Sequence, residues 1–145
     1  MYDKNNNLIA DKMGSINYNA GTGIFTGSVD VGLIPTDIYT VKVKSDGHLR
    51  RLIPGIQNIT GGQTNNMPRV NLVAGDIDNN NAININDYNI LLSCISDPTI
   101  ANVDNHQLCN SNPNYIIQSD LDDNGVVDRY DYNLFLREYS VQNGN

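Results

Sequence analysis

Two stretches decide how this chain folds: GDIDNNNAININDYNILLSCI at residues 75–95 and SDLDDNGVVDRYDYNLFLREY at residues 119–139. They align at a constant offset of 44 residues. Counted from the first Asp of each, oxygen-bearing side chains stand at positions 1, 3, 5, 9 and 12, and an apolar residue stands at position 8. Chance clustering in an Asn/Asp-rich chain is the competing explanation, but the shared register favours a repeated unit.

The spacing of these oxygens is that of a calcium-binding loop. Such a loop wraps about six to eight oxygens around Ca²⁺ from alternating positions of a twelve-residue turn. Position 7 contributes its backbone carbonyl, so an apolar side chain is acceptable there. We expect two Ca²⁺ ions, one in loop one (residues 76–87) and one in loop two (residues 120–131). The predicted ligands are Asp76, Asp78, Asn80, Ala82, Asn84 and Asp87 in loop one, and Asp120, Asp122, Asn124, Val126, Asp128 and Asp131 in loop two.

The two loops differ at position 6, where loop two has Gly125 and loop one has Asn81. Asn tolerates the left-handed backbone conformation that this turn requires, so loop one is expected to bind as well. After each loop the apolar residues take a helical period, at i, i+3, i+4 and i+7. They are Tyr88, Leu91, Leu92 and Ile95 in the first repeat, and Tyr132, Phe135, Leu136 and Tyr139 in the second. Residues 71–75 are too few for a helix before loop one, which a complete EF-hand has.

The first half of the chain shows β patterns instead. Residues 38–44 alternate apolar and polar side chains, and glycine-rich turns separate several short segments. The sequence therefore predicts two small domains: an N-terminal all-β sandwich over residues 1–74, and a mainly α C-terminal domain over residues 75–145 with two EF-hand-like calcium loop–helix units. We expect a fragment of a longer protein, with the sandwich truncated at its N-terminus.

The charge of the chain limits its partners. The net charge is −7, and it divides into +2 for residues 1–75 and −9 for the remainder. An acidic chain lacks the Lys and Arg that neutralise nucleic-acid phosphates, and no run of about 18 apolar residues exists for membrane insertion. The basic group Lys42, Lys44, Arg50 and Arg51 is expected to be the solvated face of two strands; the alternative is a contact with the acidic half or with a partner.

The two quoted repeats resemble the dockerin domain, type I-like, of cellulosome-type assemblies, over about residues 73–142. The resemblance implies a non-catalytic, extracellular or cell-surface module that binds a cohesin through positions 10 and 11 of each loop and the exposed helix face. These positions correspond to Ile85, Asn86 and Ser93 in the first repeat, and to Arg129, Tyr130 and Arg137 in the second. Because the two sets differ, we expect one binding orientation and a partner of distinct specificity. Residues 39–76 are similar to carboxypeptidase-regulatory-like (prealbumin-like) sandwich modules.

The two cysteines, Cys94 and Cys109, lie in the long connection between the repeats. In an extracellular chain we favour a disulfide between them, which stabilises by ~3 kcal/mol for a loop of this length. The alternative is two unrelated free thiols, with Cys94 in the core.

Three functions are compatible with these patterns. The first is a calcium-dependent module that binds a cohesin-like partner and is a monomer when free. The second is a calcium-stabilised spacer of a surface protein, without a specific partner. The third is self-processing, by cleavage at Asp97-Pro98 or by an internal isopeptide bond. We expect a protein that is not an enzyme.

Overall fold

A computed structural model describes residues 1–97, 107–141 and 143–144. The strands come first and the helices follow, in the order β1 (Ser15–Asn19), β2 (Ile24–Ser28), β3 (Asp37–Tyr39), β4 (Lys42–Val43), β5 (Gly47–His48), β6 (Arg51–Leu52), β7 (Gln57–Ile59), β8 (Ala74–Asp76), α1 (Ile85–Cys94), α2 (Gln107–Ser111), α3 (Asn114–Ser119) and α4 (Arg129–Glu138). Contacts between Cα atoms divide the chain into two compact units. Unit 1 comprises Met1–Lys42 and Leu52–Arg69, and unit 2 comprises Val43–Arg51 and Val70–Asn145.

The predicted fold class, an all-β sandwich followed by a mainly α domain, is wrong. The described strands form four separate two-stranded sheets, in which β1 pairs with β2, β3 with β7, β4 with β6 and β5 with β8. Six of the eight strands are only two or three residues long, which is too short to bury a continuous face against a second sheet. Unit 2 also contains strands as well as helices, and the predicted boundary after residue 74 falls inside it.

Unit 1 has a small buried core. Its longest strands, β1 and β2, pair antiparallel, but every residue of them except the half-buried Ile24 is exposed. The buried apolar side chains lie around the β3–β7 pair and include Tyr39, Ile53 and Ile59. The Tyr39 hydroxyl donates to the Pro35 carbonyl at 2.9 Å, which satisfies the one polar atom of that side chain.

Unit 2 contains the larger core. Its fully buried side chains come from all parts of the unit, and Leu49 and Phe135 have no exposed surface. The Leu49 N–H donates to the Val73 carbonyl at 2.8 Å, next to the β5–β8 pair. The core cluster consists of Leu49, Val73, Ile77, Ile83, Ile90, Leu91, Cys94, Ile95, Cys109, Val127 and Phe135.

The helices predicted after the two loops are confirmed as α1 and α4. As predicted, no helix precedes loop one among the described residues; strand β8 leads into it, whereas the short helix α3 precedes loop two. The apolar residues at position 8, Ile83 and Val127, are 1% and 5% exposed, so each loop is tied to the core at the same place. No helix in the described ranges has the length and apolar character needed to cross a membrane.

Candidate metal centres

Each loop brings three carboxylates together. One cluster consists of Asp76, Asp78 and Asp87, and the other of Asp120, Asp122 and Asp131. Within each cluster the ligand oxygens lie within 4.8 Å of one another, which is close enough to hold a metal ion. In both loops the three residues are those at positions 1, 3 and 12 of the predicted ligand set, although the third stands nine positions after the second.

The backbone turns in the same way in both loops. Positions 4 and 6 have positive φ: 59° at Asn79 and 71° at Asn81 in loop one, and 58° at Asp123 and 89° at Gly125 in loop two. Asn, Asp and Gly are the residues that enter this left-handed region most easily. The prediction that Asn81 replaces glycine at position 6 is confirmed. The positive φ at position 4 was not predicted, although the short polar residues there are the sequence signal for such a turn.

The position-1 carboxylates, Asp76 and Asp120, receive N–H groups from the turn that follows them. Asp76 accepts from the Asn81 N–H at 3.1 Å on Oδ1 and 3.0 Å on Oδ2. Asp120 accepts from Asn124 at 3.1 Å and from Gly125 at 2.8 Å. These bonds hold the N-terminal end of each loop against position 6, so the loop closes around the carboxylates.

The position-12 carboxylates, Asp87 and Asp131, are fully buried and tie each loop to its helix. Asp87 accepts from the Asp78 N–H at 3.0 Å and from the Asn84 N–H at 2.9 Å. Asp131 accepts from the Leu121 N–H at 2.6 Å, and from Asp122 and Asp128. Burial, with nearby carboxylates adding to it, raises the pKa of Asp87 to about 6, although the two N–H donors oppose the change. Burial likewise raises the pKa of Asp131.

The position-9 residues, Asn84 and Asp128, have a role that the sequence reading missed. Both are helix N-caps: Asn84 accepts from the Asn86 N–H at 2.8 Å, and Asp128 accepts from the Tyr130 N–H at 2.7 Å. With position 12 they form a capping box at the start of α1 and of α4. The sequence signal for this capping box is an Asn or Asp followed three residues later by an acid, and both repeats contain it.

The ligands predicted at positions 3, 5 and 7 lie in the outer part of each turn. Asp78 and Asp122 each accept a backbone N–H from the residue two places on, at 3.1 Å in both loops. The position-5 side chains, Asn80 and Asn124, do the same for Ala82 at 2.8 Å and for Val126 at 2.9 Å. The repeat thus extends to the hydrogen bonds as well as to the residue types.

Loop one has additional partners from residues 43–51 of unit 2. Lys44 forms an ion pair with Asp76 at 2.5 Å between Nζ and Oδ2. The Gly47 N–H donates to Asn79 Oδ1 at 3.0 Å, and the Arg50 N–H donates to Asn81 Oδ1 at 2.7 Å. For Lys44, the minority interpretation of the basic group, a contact with the acidic half, is therefore the one that the structure supports.

The residues predicted to bind a partner are not all on the surface. Ile85, Asn86, Arg129, Tyr130 and Arg137 are exposed. Ser93 is 5% exposed and its Oγ accepts from the Cys109 N–H at 3.1 Å, so its assignment to the partner surface is wrong. The reason is that the helix α2, which the sequence reading did not predict, packs over that side of α1.

The predicted disulfide between Cys94 and Cys109 is present. It joins the last residue of α1 to α2, and no cysteine is left as a free thiol. Asp97 lies in the described part of the chain, whereas Pro98, the other half of the predicted cleavage site, lies outside it. The chain matches no protein-family model, no curated protein and no solved structure.

Proposed function

We propose that the chain contains a calcium-dependent protein-binding module of the dockerin type. It is non-catalytic, acts at the cell surface or outside the cell, and attaches its parent protein to a cohesin-like module. One observation carries the proposal: the two loops, 44 residues apart, repeat the acids at positions 1, 3 and 12, the left-handed backbone at positions 4 and 6, and the capping box at the helix start.

Calcium is the metal that suits these ligands best. The side chains in both clusters are oxygen donors, and neither cluster contains the His or Cys that zinc and copper sites use. A loop with two left-handed turns and several backbone bonds is shaped for a large ion with many oxygens, rather than for the strict octahedron of magnesium. When bound, calcium supplies the positive charge that lets three close carboxylates remain ionised together.

Buried charge supports a cation in loop two in particular. Asp131 is fully buried, and none of the ion pairs in the described part of the chain involves an acid of loop two. A buried carboxylate without a cation is unfavourable, and the raised pKa of Asp131 reflects that burial. The three N–H donors orient its two oxygens towards the loop, where a hard cation would complete the charge balance.

The binding surface follows from the same geometry. Position 12 fixes each loop to the first turn of its helix, so positions 10 and 11 are displayed beside the helix start. In the second repeat these are Arg129 and Tyr130; the guanidinium lies 5.3 Å from the ring centroid. Arg137 lies two turns further along α4 and is exposed. Exposed Arg and Tyr side chains are the types that anchor protein interfaces most often.

A pull-down with cohesin modules of the source organism tests this proposal. Binding is expected in calcium and release in EDTA. Arg129→Asp is expected to weaken binding at least tenfold while two calcium ions still bind, because it reverses one charge outside the ligand set. Lys12→Asp, an exposed charge reversal in unit 1, is the matched control. Equal binding with and without calcium would refute the proposal.

A calcium-stabilised spacer is the second candidate, and one observation favours it. Loop one is hydrogen-bonded to residues 43–51, so an ion there would stiffen a part of the chain that lies outside the two repeats. If calcium raises the thermal stability but no cohesin-like module binds, the spacer function is the correct one. An unchanged intact mass with and without calcium would exclude cleavage and isopeptide formation.

A further inference from the structure

Lys44, which lies 32 residues before Asp76 in the chain, contacts loop one. The Lys44 ammonium donates to Asp76 Oδ2 at 2.5 Å and to the His48 carbonyl at 2.8 Å. The Lys44 side chain is 24% exposed, whereas that of Asp76 is completely buried. A positive charge is therefore already held against the position-1 ligand of loop one.

In the part of the chain that the structure describes, loop two has no counterpart of this lysine. Asp120 receives the N–H groups of Asn124 and Gly125, and within the described ranges no Lys or Arg forms an ion pair with any acid of that loop. The bond from position 6 to position 1 is otherwise the same in both loops, at 3.0 Å for Asn81 and 2.8 Å for Gly125. Loop two also carries two more acids, Asp123 and Asp128, where loop one has Asn79 and Asn84. Lys44 adds to this difference a cation that, within the described ranges, is ion-paired with loop one alone.

We infer that Lys44 is an internal competitor of calcium at loop one, an inference that rests on the calcium binding proposed above. In the calcium-free protein its ammonium compensates the buried Asp76 carboxylate. Calcium entry into loop one displaces the ammonium into solvent. Lys44 therefore stabilises the folded loop without the ion and lowers the calcium affinity of loop one relative to loop two.

The physical basis is repulsion between the two cations. An ion bound by Asp76 would lie within about 7 Å of an ammonium that stayed on the same carboxylate, which is inside the Debye length of about 8 Å at physiological salt. The lysine stem is long enough to place its charge in water instead, so the ammonium leaves rather than blocks the site. Because the Lys44 side chain is partly exposed, which weakens the repulsion, we expect an effect of about tenfold on affinity.

A calcium titration followed by NMR separates the two loops. The backbone amides of Asn81 and Gly125 bond to the position-1 carboxylates of loops one and two, so each reports its own site. In the unmodified chain we expect Gly125 to respond at lower calcium than Asn81. Lys44→Gln is expected to raise the affinity reported by Asn81 about tenfold, to leave that reported by Gly125 unchanged, and to lower the melting temperature in EDTA.

The opposite signs of the two effects distinguish competition from simple support of the fold. If Lys44 only held residues 43–51 in place, Lys44→Gln would lower both the stability in EDTA and the calcium affinity of loop one. Lys12→Gln removes the same charge from an exposed position and is expected to change neither affinity by more than about twofold. Lys44→Arg keeps the positive charge, so the calcium affinity of loop one should remain low in that variant.

Amine labelling of the unmodified chain tests the displacement without any substitution. Calcium should increase the labelling of Lys44, measured by mass spectrometry, and leave Lys12 unchanged. Unchanged or lower affinity at Asn81 in Lys44→Gln, or unchanged Lys44 labelling, would overturn the inference even though Gly125 still reports calcium. If neither amide responds to calcium, the proposed calcium binding fails as well, whereas a missing cohesin partner alone leaves the inference about Lys44 intact.

Discussion

The calcium-free protein should lose stability as the pH rises from about 4 to about 6, and Asp87 should account for most of that loss. The carboxyl of Asp87 is buried in the folded chain, which raises its pKa to about 6 from the ordinary 3.8. Between these two values the folded state holds a proton that the unfolded state has released. The contribution of Asp87 to stability therefore falls as the pH rises through this range, and this contribution is constant above and below it.

The size of the effect follows from the two pKa values. The difference of about two pH units corresponds to at most ~3 kcal/mol of unfolding free energy. The N–H groups of Asp78 and Asn84 already bond to the ionised carboxylate, so their effect is included in that value. Calcium should reverse the trend, because the ion binds the ionised carboxylate and competes with the proton.

Urea unfolding in calcium-free buffer, followed by helical circular dichroism, measures this dependence. The four helices of the described ranges lie in unit 2, so their circular dichroism signal reports the unit that contains Asp87. The Asp87→Asn variant should have a clearly smaller pH slope between pH 4 and 6, with a remainder from Asp131, whose pKa is also raised by burial. Asp11→Asn, which removes an exposed carboxylate in unit 1, should behave as the unmodified chain does. The same pH slope in all three proteins would refute the assignment to Asp87.

Three further predictions concern the rest of unit 2. Asp120→Ala should remove one of two calcium ions and unfold α4, because the binding energy of the ion is folding energy; calorimetry that still finds two ions would show that the ligand register is wrong. Gly75→Ala should destabilise unit 2 by ~1–3 kcal/mol, because Gly75 has φ 111° and an added Cβ would lie 3.3 Å from the Phe135 ring; an unchanged urea midpoint would contradict this. Reduction of the bond between Cys94 and Cys109 should lower the unfolding free energy by ~3 kcal/mol, because the bond restricts the unfolded chain. Equal stability of the two forms would contradict this.

The clusters and their helices could be predicted from the sequence because their determinants are local. A calcium-type loop places all its ligands within twelve residues, and the helix that follows is marked by its own period and cap. Position 8 carries the same kind of information, since Ile83 and Val127 stand at equivalent places and both are buried. Repetition at a constant offset turned a pattern that chance can produce once into one that it rarely produces twice.

The contacts that the sequence did not predict are those between distant segments. Gly47 and Asn79 are 32 residues apart, and Arg50 and Asn81 are 31 apart; no periodicity marks such pairs. The assignment of Ser93 to a partner surface was wrong for the same reason, because its Oγ accepts from Cys109, which lies 16 residues further along the chain in α2. The predicted sandwich was wrong because the alternation of apolar and polar side chains in residues 38–44 predicts an extended backbone but does not predict which strand pairs with it.

The β5–β8 pair also explains how loop one forms without a preceding helix. In loop two, α3 leads directly into Asp120, and its last turn is closed by the bond from the Asp120 N–H to the Ile116 carbonyl at 3.2 Å. In loop one, Asp76 ends strand β8 and is paired with Gly47 across the sheet. The fully buried Leu49, two residues after Gly47, adds the apolar anchor that an entering helix would otherwise contribute. The two-residue strand β5 therefore supports loop one in place of a preceding helix. The same segment, residues 43–51, contains Lys44. The contacts that stabilise loop one and the positive charge that opposes calcium binding there thus come from one part of the chain.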